Sequence, residues 1–278
     1  MHPSTAESRT ALVTGAASGL GRALAILLAR AGWQIALADV NDAGLAETLR
    51  QVEAAGGRGR AEHLDVTKPE EWQSLCRRLQ ADWPVLDLLV NNAGVACAGE
   101  VGAFPLEDWR WAIETNLLGA IFGCHACIEW LKQNPGRAHI VNVASIAAAL
   151  AAPGMAPYSV SKAGVLTLSE TLYVELAPHG VGVSVVCSGF FASDLVAKGR
   201  FQGDRERQAA ENFTLAARIT ADDVARAIVR AIAGRKLYVV LPARARLLWR
   251  LKRLLPGVWL RILAIAYQRH VNTVSSQK

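Results

Sequence analysis

A doubly wound α/β fold, with a parallel sheet of about seven strands covered by helices on both faces, is the class this sequence predicts. Three observations carry the reading. Short, nearly continuous apolar runs rich in Val, Leu, Ile and Ala recur along the chain. Each is followed by a longer segment of helical periodicity. Strands buried on both faces read as unbroken apolar runs, and strand–helix alternation joins parallel neighbours. Finally, a glycine-rich turn links the first run to the first helical segment.

In chain order, strands are expected at 10–14 (TALVT), 34–39 (QIALAD), 60–65 (RAEHLD), 86–91 (LDLLVN), 138–144 (AHIVNVA), 182–187 (GVSVVC) and 237–241 (LYVVL). Helical patterns lie near 20–31, 42–55, 68–81, 106–133, 157–177 and 221–233. No linker, low-complexity block or repeat divides residues 10–242, so the body reads as one domain. Residues 1–9 are short and polar, without the apolar core of a secretory signal, and read as a disordered N-terminus. No uninterrupted apolar run reaches the roughly 18 residues of a transmembrane helix. A cytoplasmic protein is the expectation.

An apolar fraction of 52% against 19% charged residues excludes general disorder. The net charge of +6 conceals an asymmetry. Residues 1–223 carry 18 Lys and Arg against 24 acids, whereas residues 224–278 carry 12 Lys and Arg and no acid. The basic balance therefore belongs to the tail. Cys76, Cys97, Cys124, Cys127 and Cys187 form no paired framework, and Cys124-x-x-Cys127 lacks a second half-site. Buried free thiols and no metal centre are expected.

The turn after the first strand reads Thr14-Gly15-Ala16-Ala17-Ser18-Gly19-Leu20-Gly21. Such a turn at a strand–helix junction lets backbone N–H groups and the helix N-terminus approach a pyrophosphate without Cβ interference. This makes the doubly wound sheet Rossmann-type, with Gly15, Ser18, Gly19, Leu20 and Gly21 as the cradle. Asp39 closes the second strand 18 residues beyond Gly21, where a carboxylate accepts hydrogen bonds from an adenosine ribose diol and repels a 2′-phosphate. Neither Ser18 nor Val40 offers a basic partner for such a phosphate. NAD is favoured over NADP. Arg22 stands nearby and reads equally well as a solvated side chain.

These features resemble the classical short-chain dehydrogenase/reductase family over about residues 10–242. Gly15, Gly19 and Gly21 match its TGxxxGxG. Asp65-Val66 matches its Asp-Val at the adenine site, and Asn91-Asn92-Ala93-Gly94 its NNAG after the fourth strand, with Asn92, Ala93 and Gly94 at the cofactor. Asn116, Ser145, Tyr158 and Lys162 match the family's catalytic four, Ser145 preceding Tyr158 by 13 residues. The resemblance implies reversible hydride transfer between a nicotinamide and a carbonyl or alcohol carbon. It also implies a homodimer or homotetramer paired through the helices at 106–133 and 157–177.

Hydride transfer requires a matching proton movement on oxygen, hence a positioned acid or base. Tyrosine with a pKa of about 10 is a poor base near neutrality. Lys162 lies one helical turn beyond Tyr158, and its charge favours phenolate. At about 4 Å and an effective dielectric near 20, the attraction is roughly 4 kcal/mol, enough to lower the phenol pKa by about 3. By resemblance, Tyr158 and Lys162 also border the nicotinamide ribose, Ser145 bonds the substrate oxygen, and Asn116 holds a water connecting Lys162 to solvent. His63, His125, His139 and His179 match no motif and read as ordinary strand or helix histidines.

One departure follows the sixth strand, where the family has Pro-Gly and then a Thr at the nicotinamide carboxamide. The chain reads Cys187-Ser188-Gly189-Phe190-Phe191-Ala192-Ser193. Gly189 is kept and Ser193 retains a hydroxyl at the Thr position. Ser188 in place of proline frees φ and restores an N–H donor, which predicts a more mobile loop. Val95-Ala96, the run 146–152, Phe190, Phe191 and an expected lid at 194–213 make an apolar substrate site. An apolar alcohol or ketone fits it better than a sugar or hydroxy acid.

The tail, 243–278, reads as a basic amphipathic helical extension. Leu247, Leu248, Leu251, Leu254 and Leu255 form one stripe, Arg246, Arg250 and Arg253 lie away from it, and Pro256-Gly257 interrupts the run. Three roles fit: a cap on the pocket or a partner subunit, contact with an anionic membrane surface through 244–267, and nucleic-acid binding. The last lacks any recognisable module and is set aside. Two rivals to an enzyme stand beside it: a non-catalytic dinucleotide-binding sensor or scaffold, and a peripheral membrane protein. Tyr158 has no use in the first.

Overall fold

A computed structural model describes residues 9–192 and 195–275. Its strands are β1 (Thr10–Thr14), β2 (Gln34–Asp39), β3 (Arg58–His63), β4 (Leu88–Asn91), β5 (Cys97–Ala98), β6 (His139–Val143), β7 (Gly182–Ser188), β8 (Arg200–Phe201) and β9 (Tyr238–Leu241). Its helices are α1 (Gly19–Arg30), α2 (Asp42–Ala54), α3 (Pro69–Asp82), α4 (Leu106–Ile113), α5 (Gly119–Lys132), α6 (Ala147–Leu150), α7 (Ala156–Glu175), α8 (Asp204–Leu215), α9 (Ala221–Ala233), α10 (Ala243–Leu254) and α11 (Pro256–Ser275). Seven strands form one parallel sheet in the order β3-β2-β1-β4-β6-β7-β9; β5 and β8 make a small parallel pair apart from it.

Alternation along the strands explains why they read as unbroken apolar runs. Ala11 and Val13 of β1 enter the core shared with α1, α2 and α9, while Leu12 faces the core built on α3, α5 and α7. Both faces are covered, so neither parity can be polar. The connections fold the chain outward from β1 in both directions. The β1–β4 gap, where strand order reverses, is the switch point at which such sheets hold ligands beyond their C-terminal ends.

Three differences from the expected elements bear on the site. The helix expected over 106–133 is α4 and α5 joined by a π-helical turn, Glu114–Leu118, with Asn116 inside it. By length and composition this rod could cross a bilayer, but its residues build the core and the site. The third strand begins and ends two residues early, at Arg58–His63, because its partner β2 sets the register Gln34 opposite Arg58. Within the span read as a lid, α8 occupies Asp204–Leu215, and its Phe213 ring stacks on Phe190 at 5.3 Å.

The tail folds as two helices, and its leucine stripe does not face the body. α10 docks through Ala245 and Trp249, which pack with Tyr238 and Val240. Arg253 pairs with Glu170 at 3.2 Å and lies over the Trp249 ring at 4.7 Å. Leu247, Leu248, Leu251, Leu254 and Leu255 are exposed.

Candidate active site

The dinucleotide side is organised around Thr14. Its hydroxyl donates to the Val90 carbonyl and accepts from the N–H groups of Asn92 and Ala93 at 3.0 and 3.1 Å, locking the ends of β1 and β4 together. The Asn92 amide donates to the carbonyls of Thr14 and Gly15. Asn92 therefore braces the cradle from beneath. Gly15 adopts φ +63°, and a Cβ on Gly21 would lie 2.2 Å from the Gly15 carbonyl oxygen, so no side chain fits at this crossing. Ser18 precedes α1 without capping it through its side chain. The N–H groups of the first turn, Gly19, Leu20 and Gly21 among them, are thus oriented for an anion.

Asp39 sits at the rim of this cradle. One carboxylate oxygen accepts from Ala17 N–H at 3.1 Å and the other from Asn41 N–H at 3.0 Å. Arg22 is not the solvated side chain that the sequence allowed. Its Nε donates to Thr48 Oγ1 at 2.9 Å, and its guanidinium also donates to the carbonyls of Ala17 and Gly44. Asp65 turns its carboxylate onto the N–H and hydroxyl of Thr67, and Val66 is buried against α5 at Gly119. Gly189 ends β7, its N–H bonded to Leu241.

Asn116, Ser145, Tyr158 and Lys162 come together at the C-terminal end of the sheet. The π turn aims Asn116 inward, and its amide is fully engaged. Oδ1 accepts from Val95 N–H at 2.7 Å, while Nδ2 donates to Val95 O at 3.1 Å and Ser161 Oγ at 3.0 Å. A water held by this residue would rest on its backbone. Lys162, 4% exposed, donates to the Val143 carbonyl at 2.9 Å, and its Nζ lies 6.0 Å from the Tyr158 ring centre. The Ser145 hydroxyl bonds the phenol and accepts from Ala147 N–H. Gly94 passes so close that a Cβ there would lie 2.9 Å from Asn116 Oδ1 and 3.1 Å from Lys162 Nζ.

Electrostatically the pocket differs from the sequence expectation. Burial pushes the Tyr158 phenol up to about 12, and the Ser145 hydrogen bond opposes this only in part. Burial lowers Lys162 to about 8. The expected lowering of the phenol assumed charge contact at about 4 Å and no desolvation. Instead the ammonium is held by Val143, and both groups are withdrawn from water. Neutral phenol is the resting form, and near neutrality the lysine keeps most of its charge.

On the substrate side, Tyr158, Trp109 and Trp111 pack against Cys97, Phe104 and Ala112. The segment after Ser145 forms α6, whose Leu150 carbonyl accepts from the Trp259 indole of α11 at 2.9 Å. Tyr267 on the same helix bonds Glu100. Ser188 itself is held in place. Its carbonyl accepts from Ile146 N–H at 2.9 Å, and with Gly189 bonded to Leu241, strand pairing continues to the end of β7. Ser193 lies outside the described residues.

Sequence reasoning missed three supports. The Val95–Asn116 clamp depends on a π turn that leaves no periodicity signal. The Lys162–Val143 bond joins a helix to a strand end 19 residues earlier. Asn91 of the NNAG motif and Asn142, read only as a strand residue, are bonded at 2.8 Å, and Asn142 reaches Ser169 of α7. The NN of the motif thus divides its work: Asn91 ties β4 to β6, and Asn92 holds the glycine turn. All five cysteines are buried free thiols. His139 is buried against Ser184.

The chain is similar to known proteins. The family model described as short chain dehydrogenase matches residues 9–202. "Probable oxidoreductase EphD" of Mycobacterium tuberculosis is 34% identical over 88% of this chain, a match that spans 43% of that relative, so the chain is less than half its length. The 3-oxoacyl-[acyl-carrier-protein] reductase of Synechocystis is 36% identical over 68% of this chain and 76% of its own. A short chain dehydrogenase/reductase from Burkholderia phymatum, solved in complex with NAD, superposes with a TM-score of 0.82 at 31% identity, covering 88% of this chain and 93% of the other.

Proposed function

The chain belongs to the short-chain dehydrogenase family, and from that premise we propose that it interconverts an apolar alcohol and its ketone or aldehyde, with Tyr158 as general acid and base. The observation that carries the proposal is the half-buried Tyr158, packed with Trp109 and Trp111 against Phe104, with the Lys162 ammonium 6.0 Å from its ring centre; desolvation keeps its phenol protonated. A bound nicotinamide dinucleotide supplies or accepts the hydride. The open turn Ser18–Gly21, Asp39, the Asp65–Val66 step and Asn92–Gly94 would hold it, since the cradle excludes a Cβ where such a ligand's backbone contacts are needed.

Each residue then has a task. Ser145 donates or accepts at the substrate oxygen and orients it toward the phenol. The neutral Tyr158 donates its proton to a carbonyl oxygen as that oxygen gains charge, and in the reverse direction its phenolate takes one from an alcohol. Lys162 stabilises the phenolate this leaves, its charge acting in a site of low polarity. Asn116 holds Val95 and Ser161, and so fixes the helix that carries Tyr158.

NAD is the favoured cofactor. Asp39 stands at the ribose position, and Arg22, the cation nearest the turn, is tied to Thr48, Ala17 and Gly44. The walls of Trp109, Trp111, Phe104 and the 146–150 segment suit an apolar ketone. The relatives named as 3-oxoacyl reductases act, by name, on a ketone borne on an acyl chain, which falls within this class. An absorbance screen of NAD and NADP against apolar alcohols and ketones tests the reading. Tyr158→Phe should then reduce turnover of any accepted substrate by at least 100-fold or so and leave NAD affinity nearly unchanged; a variant that keeps turnover would remove the assigned acid.

A further inference from the structure

The two tail helices present apolar residues to solvent at helical spacing. On α10 these are Leu247, Leu251 and Leu254, and on α11 Val258, Ile262 and Ile265; all six are between 41% and 75% exposed. Docking uses other residues of each helix. α10 rests on Ala245 and Trp249, and α11 on Trp259 and Tyr267. Beside the stripes stand Arg244, Arg250 and Arg261, and the whole segment 224–278 holds 12 Lys and Arg and no acid. A cleft of about 430 Å³ next to α10 gathers Arg230, Lys236, Arg246 and Arg250 around Trp249, and shares no residue with the catalytic group.

We propose that the outer faces of α10 and α11 lie in the interface of an anionic lipid bilayer. Apolar stripes bordered by cations, with no carboxylate among them, match a surface that is apolar beneath and negative above. A second copy of this chain matches poorly. A two-fold contact sets each patch against itself, and here that places cation against cation with no acid to relieve them. Nucleic acid would meet the cations, but it offers nothing to bury six aliphatic side chains. The lipid contact stands independently of the chemistry proposed above. It also gives the tail a position. Through Trp259 and Leu150, the helix that touches the bilayer is bonded to the segment following Ser145.

The test is sedimentation of the full chain with vesicles of phosphatidylcholine alone or mixed with phosphatidylglycerol. The wild-type chain should bind the mixed vesicles at least tenfold more tightly, with affinity falling as salt is raised. Leu251→Asp combined with Ile262→Asp should abolish binding. Arg250→Gln combined with Arg261→Gln, a milder change at two exposed positions, should weaken it by about fivefold per cation. Equal binding to both vesicle types, or binding untouched by either pair, would overturn the proposal. So would size-exclusion chromatography in which the Asp pair splits an oligomer, since a second copy would then own this face.

Discussion

Replacing Gly94 by alanine tests the close approach on which the catalytic group depends. The added methyl would lie 2.9 Å from Asn116 Oδ1 and 3.1 Å from Lys162 Nζ, so these atoms must retreat by about 0.5 and 0.3 Å to reach ordinary contact near 3.4 Å. Neither can retreat freely. Asn116 is held by three hydrogen bonds to Val95 and Ser161, and Lys162 by the Val143 carbonyl. Loosening one buried bond of this kind costs roughly 1–3 kcal/mol, which in a chain of this size lowers the melting temperature by several degrees, at roughly 2–4 °C per kcal/mol. The larger effect should be kinetic. A shift of about 1 Å in a positioned group can lower turnover on the order of 100-fold, so a few tenths should lower it about tenfold. Thermal melting and steady-state NAD-linked absorbance, on a substrate from the screen, read the two effects. Gly102→Ala is the control, because a Cβ there meets nothing within 4 Å. The reasoning is falsified if Gly94→Ala melts and turns over like Gly102→Ala.

Three further outcomes are expected. Burial places Lys162 at about 8, so it loses its charge as pH rises through that value; kcat/KM for carbonyl reduction should fall on the alkaline side near pH 8, well below the ordinary lysine range. His139 is held neutral by burial at about 4 against an ordinary value of 6.5; the unfolded chain binds the extra proton between these values, so stability should be full above pH 6.5 and fall by about 3 kcal/mol on the way to pH 4, an acid-side loss that His139→Gln should reduce in denaturant titrations. Asp39→Ala removes the carboxylate that accepts from Ala17 N–H and would face a 2′-phosphate; NAD affinity should fall about tenfold and NADP affinity should rise, and an unchanged NAD to NADP ratio would argue against the assignment of Asp39.

The body of the fold was legible because its signals are local. Strands buried on both faces must be apolar throughout, and the inner strands say so, while the edge strand β3 (RGRAEH) is largely exposed and polar. The glycine turn announced itself because only a residue without Cβ passes the Gly15–Gly21 crossing. The candidate catalytic group was legible through the family resemblance, and within it one helical turn separates Tyr158 from Lys162 whatever surrounds them. What was misread lay between elements distant in sequence. Arg22 looked solvated until Thr48 and Gly44 of α2 were placed beside it. The leucine stripe of the tail looked like a docking face, but Trp249 and Trp259 took that role because their indoles reach the β9 edge and the Leu150 carbonyl.

By itself, the sequence determined the fold class, the dinucleotide cradle and which side chains meet at the reacting end of the sheet. The first two rest on periodicity and glycine stereochemistry, and the third on the resemblance of Asn116, Ser145, Tyr158 and Lys162 to the family's pattern. The protonation of the site was decided only by tertiary structure. Desolvation depends on everything packed around a group, and here it outweighs the Ser145 hydrogen bond and leaves Tyr158 protonated. Tertiary packing also decided which face of the tail is left open, because a helix with apolar residues all around shows its outward side only once the body has covered the other.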